Sequence, residues 1–188
     1  ISTAYRDFKE LLTEYALNIS NDRSELSDYY REKAARQHQL YDIRYDINLL
    51  DFNPVLRLFS KDAYISKNTN ASGRFLGGYT TIFSFNATID SLYANHVLFK
   101  DNEVEITSSK IADSTNVLAM GYVYSAKQDF SDVFHTQDMM LEGIWNNEHI
   151  DFLFDLSQQA QDNYLRINGA IDFMPDETLL KLDTSDLR

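Results

Sequence analysis

The sequence predicts an α+β fold in which a long N-terminal helix precedes an antiparallel sheet with short helices. Two patterns in its 188 residues support this prediction. Through the first fifty residues, apolar side chains recur in alternating steps of three and four, the period of a helix that faces a partner. From Gly77 onward the apolar period is two, which is typical of half-buried strands. We therefore divide the chain into residues 1–52, a long helix or helix pair, and residues 53–188, a sheet domain forming one structural unit with it.

The predicted helix carries an apolar stripe from Tyr5 to Leu50. A helix of this length would extend about 70 Å. The polar segment 18–24 interrupts the stripe, and Asp22 and Glu25 have the spacing of a capping box, so one kinked helix and two packed helices both stay open. We expect the C-terminal half of the stripe to pack on the domain's own core and the N-terminal half to form a dimer contact. Eleven of the fourteen positions of the stripe are apolar or aromatic, and Asp22, Lys33 and Arg36 are the exceptions. The positions are Tyr5, Phe8, Leu12, Tyr15, Ile19, Asp22, Leu26, Tyr29, Lys33, Arg36, Leu40, Ile43, Ile47 and Leu50.

The middle of the chain continues with a short helix and the first strands. Pro54 permits a new helical start, and the apolar residues after it fit a short helix that ends near Ala63. Residues 66–74 have the composition of a loop. Residues 79–89 alternate apolar and polar side chains, as a half-buried strand does. Two further runs flank Lys100-Asp101-Asn102, which we interpret as a hairpin turn.

The last seventy residues predict further strands. Residues 117–125 form a strand pattern, and residues 129–140 fit a short helix or lid. A second hairpin signal lies at Asn146-Asn147 between two strand patterns. Residues 164–173 predict the final strand, and residues 176–187 a short acidic exit helix.

Composition excludes several classes of function. The formal charge of −12 disfavours nucleic acid and anionic membrane surfaces, because both require a basic face. The absence of cysteine excludes disulfides, thiolate metal sites and cysteine nucleophiles. No run approaches the about 18 to 20 apolar residues of a membrane span.

No pattern of residues predicts catalysis. The four histidines do not fall at metal-ligand spacings, and no nucleophile elbow, dinucleotide fingerprint or phosphate loop occurs. We therefore expect no catalytic residue, no metal ligand and no cofactor in this fragment, which we do not expect to be an enzyme.

A binding site has more support. Aromatic rings together with a few charges on one face of a small sheet can hold a small ligand, because rings give contact area and charges give orientation. Packing in a core explains the same rings equally well. The candidate ligand-binding residues are Tyr122, Tyr124, Trp145, Arg166 and Asp172.

Three segments carry a resemblance to a known family. Residues 94–109 are similar to its strand–turn–strand, residues 129–134 to its short lid, and residues 165–173 with 177–182 to its closing strand and exit helix. The order of elements resembles the Cache-type (PAS-like) extracytoplasmic sensor domain of bacterial transmembrane receptors. The resemblance implies a PAS-like sheet and offers Asp172, and after it Trp145 and Tyr124, as ligand contacts. The tyrosine, tryptophan and aspartate pattern of amino-acid-binding members has no clear counterpart here.

The resemblance implies a periplasmic ligand-sensing domain of an inner-membrane signalling receptor. Such a domain would bind a small-molecule ligand or a periplasmic protein and signal through its N-terminal and C-terminal helices. The parent receptor would form a homodimer through the N-terminal helix and carry a diguanylate cyclase or histidine kinase output. The alternative is a non-enzymatic assembly or scaffold domain of a secretion or conjugation system. A closed cavity lined by Tyr124, Trp145 and Asp172 would favour the sensor, and an open sheet with exposed aromatics the scaffold.

Overall fold

The described part of the chain forms one antiparallel sheet of eleven strands. A computed structural model describes residues 6, 8–10, 12–13, 40–58, 60, 62–111, 116–158, 162–174, 177–183 and 186–187. Strands make up 73% and helices 7% of this part of the chain. The one complete helix within it, α1, spans Asn53–Leu56. Arg6, residues 8–10 and residues 12–13 are also helical.

Most strands are long and follow one another as neighbours. The spatial order is β1-β3-β4-β5-β6-β7-β8-β9-β10, with β2 paired to β4 and β11 paired to β9. The sheet is therefore an open meander that leaves β1 and β10 at its two edges among the described strands. The strands are β1 Tyr41–Leu49, β2 Tyr64–Ile65, β3 Thr69–Gly77, β4 Thr80–Ala94, β5 Val97–Ile111, β6 Val117–Asp129, β7 His135–Asn146, β8 His149–Gln158, β9 Asn163–Phe173, β10 Thr178–Leu182 and β11 Asp186–Leu187.

Tight turns join the central strands. Asn95 and His96, between β4 and β5, both have positive φ, of 50° and 67°. Two consecutive left-handed residues make the turn whose twist matches an antiparallel hairpin. Asn147, between β7 and β8, has φ 57° for the same reason. The hairpin predicted at Asn146-Asn147 is therefore confirmed.

Strand alternation and register divide the sheet into two unlike faces. Residues directly paired across antiparallel strands point to the same side. Ile43 pairs with Phe75, Phe75 with Phe83, and the relation continues strand by strand. We call this side the apolar face and the other the polar face. The large side chains of the apolar face include Tyr41, Ile43, Tyr45, Ile47, Phe75, Phe83, Phe85, Val104, Ile106, Val123, Leu141, Trp145, Ile150, Phe152, Phe154, Ile167, Ile171, Leu180 and Leu182.

The buried core lies at the β1–β3–β4 end of the apolar face. Phe75 is 6% exposed and packs against Tyr41, Ile43, Phe83 and the helical Phe8. Within the described residues, Ala71, Phe75, Ala87 and Val117 are the buried hydrophobic side chains. This is a small core for so wide a sheet, because no second layer covers most of the apolar face in the described part of the chain.

The predicted fold class, α+β with a long N-terminal helix and a PAS-like sheet, is wrong. Residues 41–49, which were expected to continue the helix, form the edge strand β1 paired with β3. The apolar residues of this segment alternate with Asp42, Arg44 and Asp46, so one face of a strand buries them as well as a helix would. The helix predicted over residues 14–39, with its break at 18–24, lies outside the described residues.

Other local predictions are also corrected. Residues 69–74, the larger part of the loop predicted at 66–74, belong to strand β3. The first hairpin turns at Asn95 and His96, and β5 runs straight through Lys100-Asp101-Asn102. The second half of the predicted lid at 129–140 is strand β7, and the predicted exit helix contains strand β10. The strands predicted at 79–89, 117–125 and 164–173 are confirmed. A short helix is present at Pro54, but it ends at Leu56 and not near Ala63 as predicted.

Candidate functional site

The apolar face is the most extensive unusual surface of the sheet. Away from Phe75 its side chains are partly open: Ile106 is 40%, Leu141 41% and Leu180 56% exposed. Isolated exposed apolar residues are ordinary, but a contiguous apolar surface marks an interaction site. The apolar face is therefore our first candidate for a functional surface.

Charges are divided sharply between the two faces. Among the described strands, every acidic side chain except Asp129 lies on the polar face by register or by contact. The lysines Lys100 and Lys127 stand beside Asp129 at one end of the apolar face, where Lys100 Nζ lies 2.8 Å from an Asp129 carboxylate oxygen. These contacts, led by Lys100, lower the pKa of Asp129 to about 2. The exposed middle of the apolar face is uncharged.

Two glycines make an open notch in that middle. Gly121 of β6 and Gly143 of β7 are directly paired on the apolar face. A Cβ at Gly121 would meet nothing within 4 Å, and one at Gly143 would reach only a backbone oxygen 3.9 Å away. Phe152 pairs with Gly143 from the next strand. The notch can therefore receive an apolar side chain without displacing the sheet.

A helical side chain already occupies the other end of the apolar face. The Phe8 ring lies 5.8 Å from the Phe75 ring and 5.4 Å from the Phe83 ring, measured between centroids. Edge-to-face and tilted arrangements at these distances are favourable aromatic contacts. The apolar face thus packs a helix at β3–β4.

The polar face carries an acidic depression of 590 Å³ across β1, β3, β4 and β5. Asp46, Glu103 and Glu105 contribute its charges, and amide and hydroxyl side chains contribute the rest. Within the described residues these three carboxylates make no ion pair, and they do not form a metal-binding group. The depression is open and wet, so its charge suits solubility more than the grip of a small ligand.

Two predicted site residues lie near this depression. Tyr122 and Tyr124 share the polar face of β6, as their spacing predicted. Burial, and then Glu103, Glu142 and Glu105, raise the pKa of Tyr122. The Tyr124 hydroxyl donates to Asp138 at 2.9 Å, and this bond raises its pKa.

Arg166 is held by a carboxylate of the neighbouring strand. Its Nε and one terminal nitrogen donate to the two oxygens of Asp155, both at 2.7 Å. Tyr164 also donates to Asp155, at 3.2 Å. These bonds, led by Arg166, lower the pKa of Asp155. A depression of 320 Å³ lies beside Arg166 and Tyr164. Because Asp155 takes the guanidinium in bidentate fashion, Arg166 serves first as a cross-strand clasp.

Asp172 lies in a chain of charges that joins β8, β9 and β10. Lys181 Nζ is 2.7 Å from one oxygen of Asp172, and His149 Nδ1 is 2.5 Å from the other. His149 Nε2 also lies 3.0 Å from Asp151. Lys181 and then His149 lower the pKa of Asp172, and Asp172 and then Asp151 raise the pKa of His149.

Trp145 stands on the opposite side of the sheet from the other four candidates. Its ring lies on the apolar face 6.4 Å from Phe173, and its indole N–H donates to the Asn147 carbonyl at 2.5 Å. Tyr122 and Asp172 share the polar face but are three strands apart, roughly 14 Å across the sheet, and Asp172 lies four residues beyond Asn168, the residue of β9 level with Tyr122. The structure therefore does not bring the five predicted residues into one cavity, and the ligand contacts assigned to them stay a prediction.

The described residues contain neither a metal-binding cluster nor a membrane-spanning helix. In the described residues, no group of three or more histidine, aspartate and glutamate side chains is placed to hold a metal ion. No helix among those residues is both long and apolar enough to cross a bilayer.

Comparisons with known proteins leave the chain without an assigned family. No family model, no curated protein and no solved structure matches it. Nothing in these comparisons identifies a Cache or PAS-like domain. The function must therefore be inferred from the two faces of the sheet.

The glycine notch and its surroundings were missed from the sequence. A signal was present in β8, where Ile150, Phe152, Phe154 and Leu156 alternate with polar residues and show one strongly apolar side. Gly121 and Gly143 carry no such signal, because their pairing depends on the register between β6 and β7.

Proposed function

We propose that this chain is a non-enzymatic assembly or scaffold domain that binds an amphipathic helix of a partner protein on its apolar face. The observation that carries the proposal is the continuous, partly exposed apolar face opposite a face that bears nearly all the acidic strand residues. A helix that lays its apolar side into a hydrophobic surface is a recurrent mode of recognition.

The choice of a helix as the occupant follows from Phe8. This residue, in helical conformation, packs between Phe75 and Phe83 on the same face. The surface around Gly121, Val123, Leu141 and Phe152 continues that face and offers an open notch. A side chain repeating every three or four residues along a partner helix would fill positions like the one Phe8 occupies.

Ligand sensing has less support than scaffolding. It was inferred from a PAS-like arrangement, which the open meander does not have. Tyr124 and Asp172 lie on one face and Trp145 on the other, so they do not enclose a common volume. The periplasmic location and the receptor context stay predictions.

The test uses a designed peptide of leucine and lysine, about 18 residues long so that it can form an amphipathic helix. A scrambled peptide of the same composition, without an apolar side, is the control for charge attraction. Gly121→Asp places a charge in the notch where nothing crowds it. Met120→Asp adds the same charge one residue away on the polar face, where Met120 is 55% exposed. Titration calorimetry measures the dissociation constants.

We expect the amphipathic peptide to bind and the scrambled one to bind at least tenfold more weakly. Gly121→Asp should weaken binding by about tenfold or more, because a buried unpaired carboxylate is costly, and Met120→Asp should leave it unchanged. Equal binding of both peptides, or equal effects of both substitutions, would rule out helix docking on this face. Binding of a fluorescent fatty acid but not of the peptide would replace the helix by an acyl chain as the occupant.

A further inference from the structure

The outer edge of β1 is the longer of the two unpaired edges that end the described sheet, nine residues against five in β10. None of the described strands pairs with it, and its nine residues pair with β3 without a register shift. Natural edge strands are commonly protected by proline, a bulge or a short length. β1 has none of these three protections, and no described strand takes up the backbone groups of its outer edge.

The sequence of β1 is self-complementary when read against itself in the antiparallel direction. Place Tyr45 opposite Tyr45 of a second copy, so that residue i faces residue 90 − i. Arg44 then faces Asp46, and Ile43 faces Ile47, each twice by symmetry. Tyr41 faces Leu49, and Asp42 faces Asn48. We propose that β1 pairs with β1 of a second copy in this register, which forms a two-fold symmetric dimer with one continuous sheet.

The ion pairs in this arrangement use two charged side chains of β1 that have no ion-pair partner among the described residues. Arg44 and Asp46 are both exposed, and neither makes an ion pair or hydrogen bond among the described residues. Within the sheet Arg44 stands directly opposite Arg74, whose guanidinium is taken by both oxygens of Asp42 at 2.7 and 2.8 Å. An acidic residue opposite Arg44 on the open side of β1 would offset the repulsion between Arg44 and Arg74.

The proposed register is distinguished from its neighbours by charge. A shift of two residues in one direction places Arg44 opposite Arg44 and Asp42 opposite Asp46. The opposite shift places Asp46 opposite Asp46. Like charges directly across two strands are unfavourable. A shift of one residue would bring apolar side chains of one copy to the polar face of the other.

The dimer also extends features already described. Directly paired residues point to one side, so the apolar faces of both copies would join without interruption. Leu40 and Leu50 flank β1 and are 83% and 71% exposed. Because their numbers sum to 90, Leu40 of one copy faces Leu50 of the other in this register. The pairing adds about eight or more backbone hydrogen bonds between copies.

Sedimentation equilibrium of the full chain at up to about 1 mM measures the dimer and detects even weak pairing. Arg44→Asp alone and Asp46→Arg alone should each weaken the dimer roughly tenfold, because each creates two like-charge contacts. The double variant restores opposite charges and should return to within about threefold of the original. Asp46→Arg changes the formal charge from −12 to −10, so general repulsion cannot explain a loss. Asp90→Arg, at an exposed position of β4, is the control and should have no effect.

A cross-link checks the register independently. The chain has no cysteine, so Arg44→Cys protein mixed with Asp46→Cys protein should form the mixed disulfide far faster than either forms one with itself. A chain that stays monomeric at every concentration would overturn the proposal. A dimer that ignores both single charge reversals would overturn the β1 register. So would Arg44→Cys protein that cross-links to itself as fast as it cross-links to the Asp46→Cys protein.

Discussion

Different interactions stabilise the two faces of the sheet. On the apolar face, burial is concentrated at Phe75, and the rest of the face stays partly open. On the polar face, charged side chains clasp neighbouring strands, as Arg166 clasps Asp155 and Arg74 clasps Asp42. Part of the polar face is satisfied by these cross-strand contacts, whereas no second layer of the described residues covers the apolar face away from Phe75.

This difference separates folding from binding. Strand pairing and cross-strand clasps hold the meander together, and burying the exposed part of the apolar face would add stability only when a partner is present. Substitutions at the two kinds of position should therefore fall into two classes. Those at Phe75 and Asp155 should change folding, and those at Gly121 should change binding.

The largest effect on folding is expected from Phe75→Ala. Removing a ring that is 6% exposed leaves a cavity against Phe8 and Phe83, so we expect a loss of about 3 to 5 kcal/mol in the free energy of unfolding. Ile106→Ala, on the same face but 40% exposed, is the matched control and should cost about 1 kcal/mol or less. Urea denaturation measures both. Equal losses would show that the two parts of the face are buried alike.

The second effect concerns the clasps of the polar face. Asp155 is 8% exposed and accepts bonds from Arg166 and Tyr164. Asp155→Asn keeps the shape but removes the charge, and we expect it to destabilise the fold by about 1 to 2 kcal/mol. Asp42→Asn weakens the corresponding exposed pair with Arg74 and should change stability much less. If urea denaturation gave Asp42→Asn the larger loss, burial would not be what gives these clasps their strength.

The sequence predicts the central strands well because each carries a single clear period. β4 and β9 alternate, and Asn147 supplies the left-handed residue that the β7–β8 hairpin needs. β1 was misassigned because two periods coincide in it. Leu40, Ile43, Ile47 and Leu50 fit a helix, while Tyr41, Ile43, Tyr45 and Ile47 fit a strand. Pairing with β3, which local sequence does not reveal, decides between them.

The first hairpin was predicted too late in the chain because Asp101 resembles a turn residue. Its φ is 52°, yet it lies inside β5.

The candidate site was harder to predict because it depends on the register between strands. Trp145 is preceded by Ile144, and both are apolar, so alternation alone does not say which one shares a side with Phe152. The pairing of Trp145 with Ile150 places it on the apolar face.

The third effect tests the charged end of the apolar face through pH. The pKa of Asp129 is about 2 in the fold, below its ordinary 3.8, so its contribution is fully present above pH 3.8 and is lost as the pH falls toward 2. We expect Asp129→Asn to cost about 1 to 2 kcal/mol near pH 6 and nothing near pH 2. Asp90→Asn, at an exposed position, should show no such trend. A constant difference from pH 6 to pH 2 would contradict the ion cluster with Lys100.

The smallest effect is expected at His149, whose side chain is 42% exposed. Its pKa is raised above 6.5, first by Asp172 and then by Asp151, so its stabilisation is present below pH 6.5 and is lost as the pH rises through the raised value. Histidine ring signals in NMR titrations should give a midpoint above 6.5 that falls in Asp172→Asn. An unchanged midpoint in that variant would show that Asp172 does not hold the ring.

The most direct test of the central claim asks which face a bound helix touches. A spin label on the amphipathic leucine–lysine peptide broadens NMR signals of nearby methyl groups. We expect it to broaden the methyls of Val123, Leu141 and Ile167 on the apolar face and to spare those of Leu118, Ile144 and Leu153 on the polar face. Broadening of the polar-face methyls instead, or of both sets equally, would contradict the assignment of binding to the apolar face.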